Sequence, residues 1–462
     1  MTKKFSILRP ILAVLIVFIP LYPKFPLASV SGTYVAIRLD DIVVALAFLI
    51  WFLYQIKNRF PIFKAKITWL TFSYFAAITA SLIYALFISQ TDLITVLLLN
   101  YLRRFEYISL LYLTISAVSG RKDLKFTYIF TLLASIGVLI YGLGQKYFHF
   151  PVISTMNAEF SQGQLLQMDV WTRISATFAG HYDLAVYLSV VLVIIGAVAI
   201  IQKNIWIKLI NILIWLPLFY LLTLTASRVS IFAFYGGICL TIVLLRRYLW
   251  IIPVTIIFVF SLINSKDLNQ RLLATIPSLT IQFSKKPTTL PTPTLALLST
   301  APVIAVISGQ PSALQTPIPT VIRHPPVDEF IPIDSDVGVA RSGEIRFNVE
   351  WPRAITAFEK NPLTGTGLGS ITLATDNDYL RTLGESGVLG FISFTSIILF
   401  FVIKTIPFIF SKKYHPVPLI FFGALMTFLV NATLIDVFEA SKVAYLFWIM
   451  MGLYYQSLAP DF

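Results

Sequence analysis

Apolar stretches of about the length needed to cross a membrane alternate along the chain with polar segments. They lie near residues 5–22, 42–56, 67–89, 93–118, 126–147, 182–201, 205–224, 229–245, 249–263, 379–403, 416–437 and 441–458. A helix needs about 20 residues to span the hydrocarbon core, so some of these stretches must extend into their flanks. Because a segment in lipid must satisfy its backbone hydrogen bonds internally, the pattern predicts an all-α integral membrane protein with about twelve transmembrane helices.

The first apolar stretch has two interpretations. Lys3 and Lys4 precede it and the small residues at 28–31 follow it, which also fits a secretory signal peptide. We favour a retained first span, because the charge pattern of the later loops requires one.

Basic residues occupy alternate loops between the predicted spans. They cluster at the N-terminus and near residues 57–66, 121–125, 203–208, 246–247 and 404–413. Loops rich in Lys and Arg face the cytoplasm, so both termini of this multi-pass protein are expected to be cytoplasmic. The long loops 23–41, 146–181 and 264–378 are then expected on the extracytoplasmic face of the cell membrane.

The longest loop divides the chain into two sets of spans. Residues 1–263 contain the first nine predicted spans, and residues 379–462 contain the last three. Within 264–378, residues 285–325 are rich in Pro, Thr, Ser and Ala, a composition that builds no packed core and predicts a flexible segment. Residues 340–375 show a helical pattern followed by glycine turns, and we expect an ordered region there.

The amino-acid composition excludes several classes of site and partner. Apolar residues make up 57% of the chain and charged residues 12%, whereas soluble domains contain about 25% charged residues. The single cysteine, Cys239, excludes an internal disulfide, and the four histidines lack the paired spacing of a metal site. The net charge of +13 lies mostly in short loops, where it indicates topology. We therefore expect no metal, no cofactor and no nucleic-acid partner.

The most polar and glycine-rich part of the chain is 341–390. It contains Arg346, Trp351, NPLTGTGLG (361–369), DNDYL (376–380) and ESGVLG (385–390). In order and spacing this stretch resembles the membrane domain of O-antigen ligases and of O-antigen or exopolysaccharide polymerases, whose pattern is R, W, NPxxGxGxG, HNxYL and ExGxxG. The sequence departs from that pattern at Asp376, which takes the place of the family's histidine.

The glycines of 365–369 are a weak nucleotide signature. They fit neither the dinucleotide fingerprint nor the P-loop, so neither NAD nor ATP is expected. They predict a tight turn near the membrane surface. In the next predicted span, Gly384, Gly387 and Gly390 indicate close helix packing.

Arg228, Arg341, Arg346 and Arg353 are candidates for binding an anionic substrate. Arg228 begins a predicted span, where a guanidinium and free backbone N–H groups suit a phosphate; the alternative is an interfacial arginine that snorkels. The other three either form a solvated basic face or capture a diphosphate. Among them we favour Arg346, because Trp351, five residues on, fits the family pattern.

The segment RISATFAGHYDLAVYL, from Arg173 to Leu188, leads into the sixth predicted span. It resembles a further stretch of the same family, with an arginine and then a histidine before a helix. Arg173 and His181 are therefore candidates to contact the glycan or the diphosphate. The alternative, that His181 and Asp183 cap the helix, stays open.

Further charged residues lie within or next to the second and fourth apolar stretches. They are Arg38, Asp40, Asp41, Arg103, Arg104 and Glu106. Charges at membrane depth are functional candidates by default. Here we favour a structural cluster of ion pairs between the two spans.

The resemblance implies an activity. Members of the family transfer a glycan from undecaprenyl diphosphate to an acceptor hydroxyl without a metal or a nucleotide sugar. The acceptor is a lipid A core for ligases and another lipid-linked repeat unit for polymerases, and the sequence leaves both open. By this resemblance Arg228 and Arg346 bind the diphosphate and Asn377 contacts substrate. Membrane lipids and polysaccharide export or assembly proteins are the further partners that it implies.

Asp376 has three interpretations. It caps the helix of the next span, it orients and deprotonates the acceptor hydroxyl, or the base is another nearby acid. The acids considered are Glu344, Asp378 and Glu385. Nearby arginines would keep the carboxylate of Asp376 ionised, which would make it a weak base that acts mainly by orientation.

Two other classes of function stay open. A membrane transporter fits the number of spans, but the large outer loop argues against it. A non-catalytic component of a polysaccharide assembly complex fits the replacement of the family's histidine by Asp376.

Overall fold

The described part of the chain is helical except for two short ribbons. The computed structural model describes residues 7–23, 25–29, 36–88, 94–154, 166–167, 173–264, 345–371, 374–411 and 415–459. The ribbons are antiparallel and join β1 (Pro26–Ser29) to β2 (Ala36–Arg38) and β3 (Ile153–Ser154) to β4 (Leu166–Gln167). The hydropathy pattern had not indicated them. The predicted flexible segment 285–325 and the candidate Arg341 lie outside the described residues.

A helix occupies each of the predicted apolar stretches. In chain order the helices are α1 (Leu8–Leu21), α2 (Leu39–Lys57), α3 (Lys66–Phe87), α4 (Ile94–Ala117), α5 (Arg121–Tyr147), α6 (His181–Ile201), α7 (Ile205–Leu224), α8 (Arg228–Leu244), α9 (Ile251–Asn264), α10 (Trp351–Lys360), α11 (Asp378–Phe410), α12 (Pro416–Asn431) and α13 (Ser441–Ser457). The additional helix, α10, continues from a π-turn at Arg346–Glu350. It lies in the region that was predicted to be ordered.

Six helices in the described part of the chain are long and apolar enough to cross a membrane. They are α2, α3, α5, α6, α7 and α11. Several others are apolar but shorter, among them α1, α8 and α12. These features are those of a helical membrane protein. The number of crossings, the side on which each loop lies and the position of the termini stay predictions.

Helix α6 forms the centre of the bundle. Its sequence is apolar on all sides, which is typical of a helix that is buried all round. It packs against α7, α8 and α12, while α4 packs on α13 and α3 on α11. The start of α6, with His181, therefore lies next to the start of α8, with Arg228.

Helix α11 is broken at Gly387, where φ is 64° and ψ is −169°. The glycine-rich loop before α11 docks at this break through backbone hydrogen bonds. The amides of Thr366 and Gly367 donate to the carbonyls of Gly384 and Glu385, at 3.0 and 2.9 Å. A Cβ on Gly387 would lie 2.4 Å from the carbonyl oxygen of Leu363, which explains why no side chain is present. The predicted close packing of helices is confirmed at Gly384, where a Cβ would lie 2.7 Å from the carbonyl oxygen of Ala354 in α10, whereas Gly387 packs against the loop.

Candidate active site

The candidate site begins with an ion pair that joins two parts of the polar stretch. The guanidinium of Arg346 donates to Oδ2 of Asp376 from Nε at 2.8 Å and from Nη2 at 2.7 Å. The same guanidinium hydrogen-bonds the hydroxyl of Tyr182, in the first turn of α6. Arg346 and Asp376 are thirty residues apart in the sequence, and the fold brings both to the N-terminal end of α6.

Arg228 lies at the same place. It is half-buried at the first position of α8 and within electrostatic range of Tyr182, Arg346 and Arg173. The start of α8 is fixed by a buried chain of hydrogen bonds: Ser227 Oγ donates to Ser230 Oγ at 3.0 Å, and Ser230 Oγ donates to Asn431 Oδ1 at 2.7 Å. The second of these bonds ties α8 to α12. The backbone at Arg228 is therefore held in place by the bundle, and the choice between binding and snorkelling stays a prediction.

Arg173 and His181 contact each other. Nη1 of Arg173 lies 2.6 Å from Nε2 of His181. The N-cap residue of α6 is Gly180, and His181 is the first residue of the helix. His181 is therefore not the N-cap residue, whereas Asp183 lies in the first turn of α6, where an acidic side chain favours the start of a helix.

Three of the four segments that carry residues of the site contain a non-glycine residue with positive φ. These residues are Ala176 (48°), Ala226 (52°) and Asp376 (49°). Side chains are uncommon in this left-handed region, and such strain persists where the surrounding structure holds it and often at functional sites. The strained positions lie in three of the four segments that meet here, and the segment with Arg346 and Glu350 has none.

Asp376 does not cap α11. The cap is Asn377, whose Oδ1 accepts hydrogen bonds from the amides of Tyr379 at 3.1 Å and Leu380 at 3.0 Å. The capping interpretation of Asp376 is therefore wrong, and the carboxylate is directed to Arg346 instead. The side-chain oxygen of Asn377 is occupied by this capping role, and its contact with substrate stays a prediction.

Two carboxyl groups of the site have raised pKa values. Burial raises the pKa of Asp376, and the paired Arg346 opposes that shift. Burial and the charge of Asp376 raise the pKa of Glu350 to about 7, against the opposing effect of Arg346. Arg353, on α10, also lies close enough to Glu350 to lower this pKa. Glu350 is therefore partly protonated near neutral pH.

Sequence reasoning missed Tyr182, Glu350 and Asp436. Asp436 accepts hydrogen bonds from the amides of Thr375 at 2.8 Å and Asn377 at 3.3 Å, and so holds the backbone on both sides of Asp376. Two signals were available: Tyr182 directly follows His181, and Glu350 lies four residues after Arg346. For Asp436 the sequence contained no signal, because it lies in a different loop.

Two of the three acids that had been considered as alternative bases have hydrogen-bond partners within the fold. Asp378 is buried and accepts the amides of Val437 at 2.7 Å and Phe438 at 3.3 Å. Glu385 accepts from Nε of Arg381 at 3.2 Å. Both have structural partners, and Glu344 lies outside the described residues.

A second cluster of charges supports the site from inside the bundle. Arg381 bridges Asp436 at 2.8 Å and Glu385 at 3.2 Å, and Glu439 pairs with Arg104 of α4. The expected ion pairing of Arg104 with α2 is therefore wrong, because Glu439 and the carbonyl of Phe438 take its donors. A structural cluster of ion pairs is present, but in the described residues it joins α4 to α11 and to the segment before α13 rather than to α2.

Acids of α2 and α4 are joined by a tyrosine. The hydroxyl of Tyr445 donates to Glu106 and lies 3.3 Å from Oδ1 of Asp41. Arg103 lies in electrostatic range of both acids. These residues connect α2, α4 and α13 near the second cluster.

The glycine loop contacts protein on the side where a side chain would project. A Cβ on Gly365 would lie 2.4 Å from the carbonyl carbon of Glu385, and one on Gly369 would lie 2.3 Å from Nδ2 of Asn100. The loop is thus a tight turn, as predicted, that docks on α11 and α4. Among the described residues, no group of three or more His, Cys, Asp or Glu side chains is placed to hold a metal ion.

Comparison with known proteins does not assign the chain to a family. No protein-family model matches it, and no curated protein gives a significant match. The resemblance to O-antigen ligases and polymerases therefore rests on the motif residues themselves.

Proposed function

We propose that the protein is a membrane glycosyltransferase that transfers a glycan from a polyprenyl diphosphate to an acceptor hydroxyl. This is the activity of the O-antigen ligases and polymerases that its motifs resemble. The proposal is supported by one observation above all: Arg173 and Arg346, which come from distant parts of the sequence, both lie within electrostatic range of Arg228, and Arg228 and Arg346 also lie near Tyr182.

The gathered arginines favour a substrate with two or more negative charges. Asp376 neutralises part of the charge of Arg346, and Arg173 contacts a histidine rather than a carboxylate. Bringing like charges together is unfavourable unless an anion binds among them. Guanidinium groups bind phosphate oxygens through two parallel hydrogen bonds, so a diphosphate suits this arrangement.

The same arrangement suits the chemistry of glycosyl transfer. The acceptor oxygen attacks the anomeric carbon, and the bond from that carbon to the phosphate oxygen breaks. Its electron pair passes to the diphosphate, where negative charge develops. Arginines already in place stabilise that charge without reorganisation, which is the largest contribution in many enzymes.

The site is proposed to face the extracytoplasmic side. Loop charge predicts that tags at residues 60, 122, 204, 247 and 412 report the cytoplasm, and that tags at residues 30, 160 and 300 report the outside. A cytoplasmic report at 300 would place the site in the wrong compartment for this reaction.

Deletion of the gene tests the activity. We expect lipid-linked glycan to accumulate in the membrane and the surface polymer to be missing, short or unattached. Unattached polymer would indicate a ligase, and missing or short polymer a polymerase. We expect the parent gene to restore the surface glycan and the Arg346→Lys variant to fail to restore it. If deletion changes neither the lipid-linked nor the surface glycan, the proposal is wrong, and transport becomes the better hypothesis for the function.

A further inference from the structure

Three buried polar atoms near the arginine cluster have no hydrogen-bond partner in the described part of the chain. They are Oε2 of Glu350, Nε1 of Trp351 and Oγ1 of Thr375. Most buried polar atoms in proteins are paired, so an unpaired one calls for an explanation, such as a ligand or a catalytic role. Here two of the three are consecutive, and the third precedes Asp376, whose charge acts on Glu350.

The chemistry of these atoms fits a sugar hydroxyl. A hydroxyl group both donates and accepts hydrogen bonds. Oε2 of Glu350 accepts, the indole Nε1 of Trp351 donates, and the hydroxyl of Thr375 does either. An acceptor hydroxyl bound beside Glu350 would supply the missing partner of its Oε2.

Asp376 is poorly placed to take the proton of that hydroxyl. Its Oδ2 already accepts two hydrogen bonds from Arg346, at 2.8 and 2.7 Å. Burial raises the pKa of this carboxyl, but transfer of a proton to Oδ2 would break its charge-assisted pair with Arg346. Its evident role is to hold the guanidinium of Arg346.

We propose that Glu350 is the base that accepts the proton of the acceptor hydroxyl, and that Asp376 is a positioning residue for Arg346. This inference rests on the proposed glycosyl transfer. The acceptor oxygen forms a bond to the anomeric carbon as its proton passes to Oε2 of Glu350. The bond to the diphosphate breaks, and the leaving group keeps the electron pair. The products are the glycoside, polyprenyl diphosphate and protonated Glu350, so atoms and charge balance.

The charges around Glu350 suit this role. The groups that act on it are Arg346 and Arg353 on its own helical segment, Asp376 before α11, and Asp436 between α12 and α13. Two of these charges are positive and two are negative, and burial adds to the effect of the acids. The resulting pKa of about 7 is close to the value at which a general base works best near neutral pH.

The test separates donor binding from turnover. Membranes of the deletion strain supply the accumulated lipid-linked glycan, and its consumption by purified protein is followed by mass spectrometry. Binding is measured with undecaprenyl diphosphate. The variants are Glu350→Gln and Arg346→Lys, and the control is Glu359→Gln, an exposed acid on the same helix.

Glu350→Gln is expected to bind undecaprenyl diphosphate like the parent and to consume glycan at least about 100-fold more slowly, the usual contribution of a general base. The parent is expected to gain activity as pH rises through about 7, and Glu350→Gln to lack that rise. Glu359→Gln is expected to behave like the parent, and Arg346→Lys to lose donor binding.

Three results would overturn the inference: parental turnover in Glu350→Gln, loss of its donor binding together with turnover, or an unchanged rise with pH in that variant. A different result concerns the proposed function. If the parent binds undecaprenyl diphosphate and consumes no glycan, or does neither, the glycosyl transfer itself is refuted.

Discussion

Substitution of Gly365 by alanine tests whether the glycine loop is a structural dock or a cradle for phosphate. Gly365 has φ of +73°, and an added Cβ would lie 2.4 Å from the carbonyl carbon of Glu385 and 2.5 Å from the amide nitrogen of Ser386. These are backbone atoms, and the hydrogen bond from Gly367 to Glu385 holds them in place. Movement of a flexible side chain therefore cannot relieve the overlap.

The cost of this substitution has three contributions. The left-handed conformation costs an alanine about 1–2 kcal/mol. Overlap with atoms that cannot move adds about 1–3 kcal/mol. Alanine also lowers the conformational entropy of the unfolded chain, which stabilises the folded protein by about 0.4–1 kcal/mol. The net destabilisation is about 1–5 kcal/mol.

Gly236 provides a matched control. It lies within α8, and a Cβ there meets nothing within 4 Å. Alanine in a helix interior is more stable than glycine by about 0.5–1 kcal/mol. We expect Gly365→Ala to lower the unfolding midpoint of the detergent-solubilised protein, and Gly236→Ala to leave it unchanged or to raise it.

The assay is thermal unfolding, followed by the loss of the monodisperse peak in size-exclusion chromatography. Binding of undecaprenyl diphosphate is measured on the same samples. If Gly365→Ala unfolds with the parent and loses only this binding, the loop is an anion cradle, and the argument from its docking on α11 is refuted.

Further predictions concern the charged residues and the long loop. Arg228→Lys is expected to reduce glycan consumption by at least about tenfold at unchanged membrane abundance, because lysine keeps the charge and loses the guanidinium fork; full activity would make Arg228 a topology marker. Asp376→Asn is expected to move the rise of activity with pH to a lower pH, because the charge of Asp376 raises the pKa of Glu350; an unchanged pH profile contradicts this. Deletion of 288–318 is expected to leave consumption near the parental rate, because its composition offers little apolar surface to bury. If the variant that lacks residues 288–318 is inactive at normal abundance, the segment belongs to the site.

The sequence by itself determined the helices and most of the candidate arginines. The apolar stretches became helices because a long apolar segment has few other ways to satisfy its backbone. Arg173 and Arg346 were identified from motifs that resemble the family pattern, and Arg228 from its place at the start of a predicted span. Nothing in those patterns indicated that Arg173 and Arg346 would both lie within electrostatic range of Arg228.

Tertiary structure decided which side chains have partners. Asn377 rather than Asp376 caps α11, because the backbone at Asp376 is left-handed and Arg346 approaches its carboxylate. Glu350 was missed because it stands out only by its buried, unpaired Oε2 atom. Whether a side-chain atom has a hydrogen-bond partner depends on neighbours that come from other loops. The same run of glycines would fit a loop that binds phosphate or a loop that packs on a helix. Only the structure shows that this loop packs on α11, at the break at Gly387. Local sequence sets helix formation, whereas burial and charge at a site are sums over residues that only folding brings together.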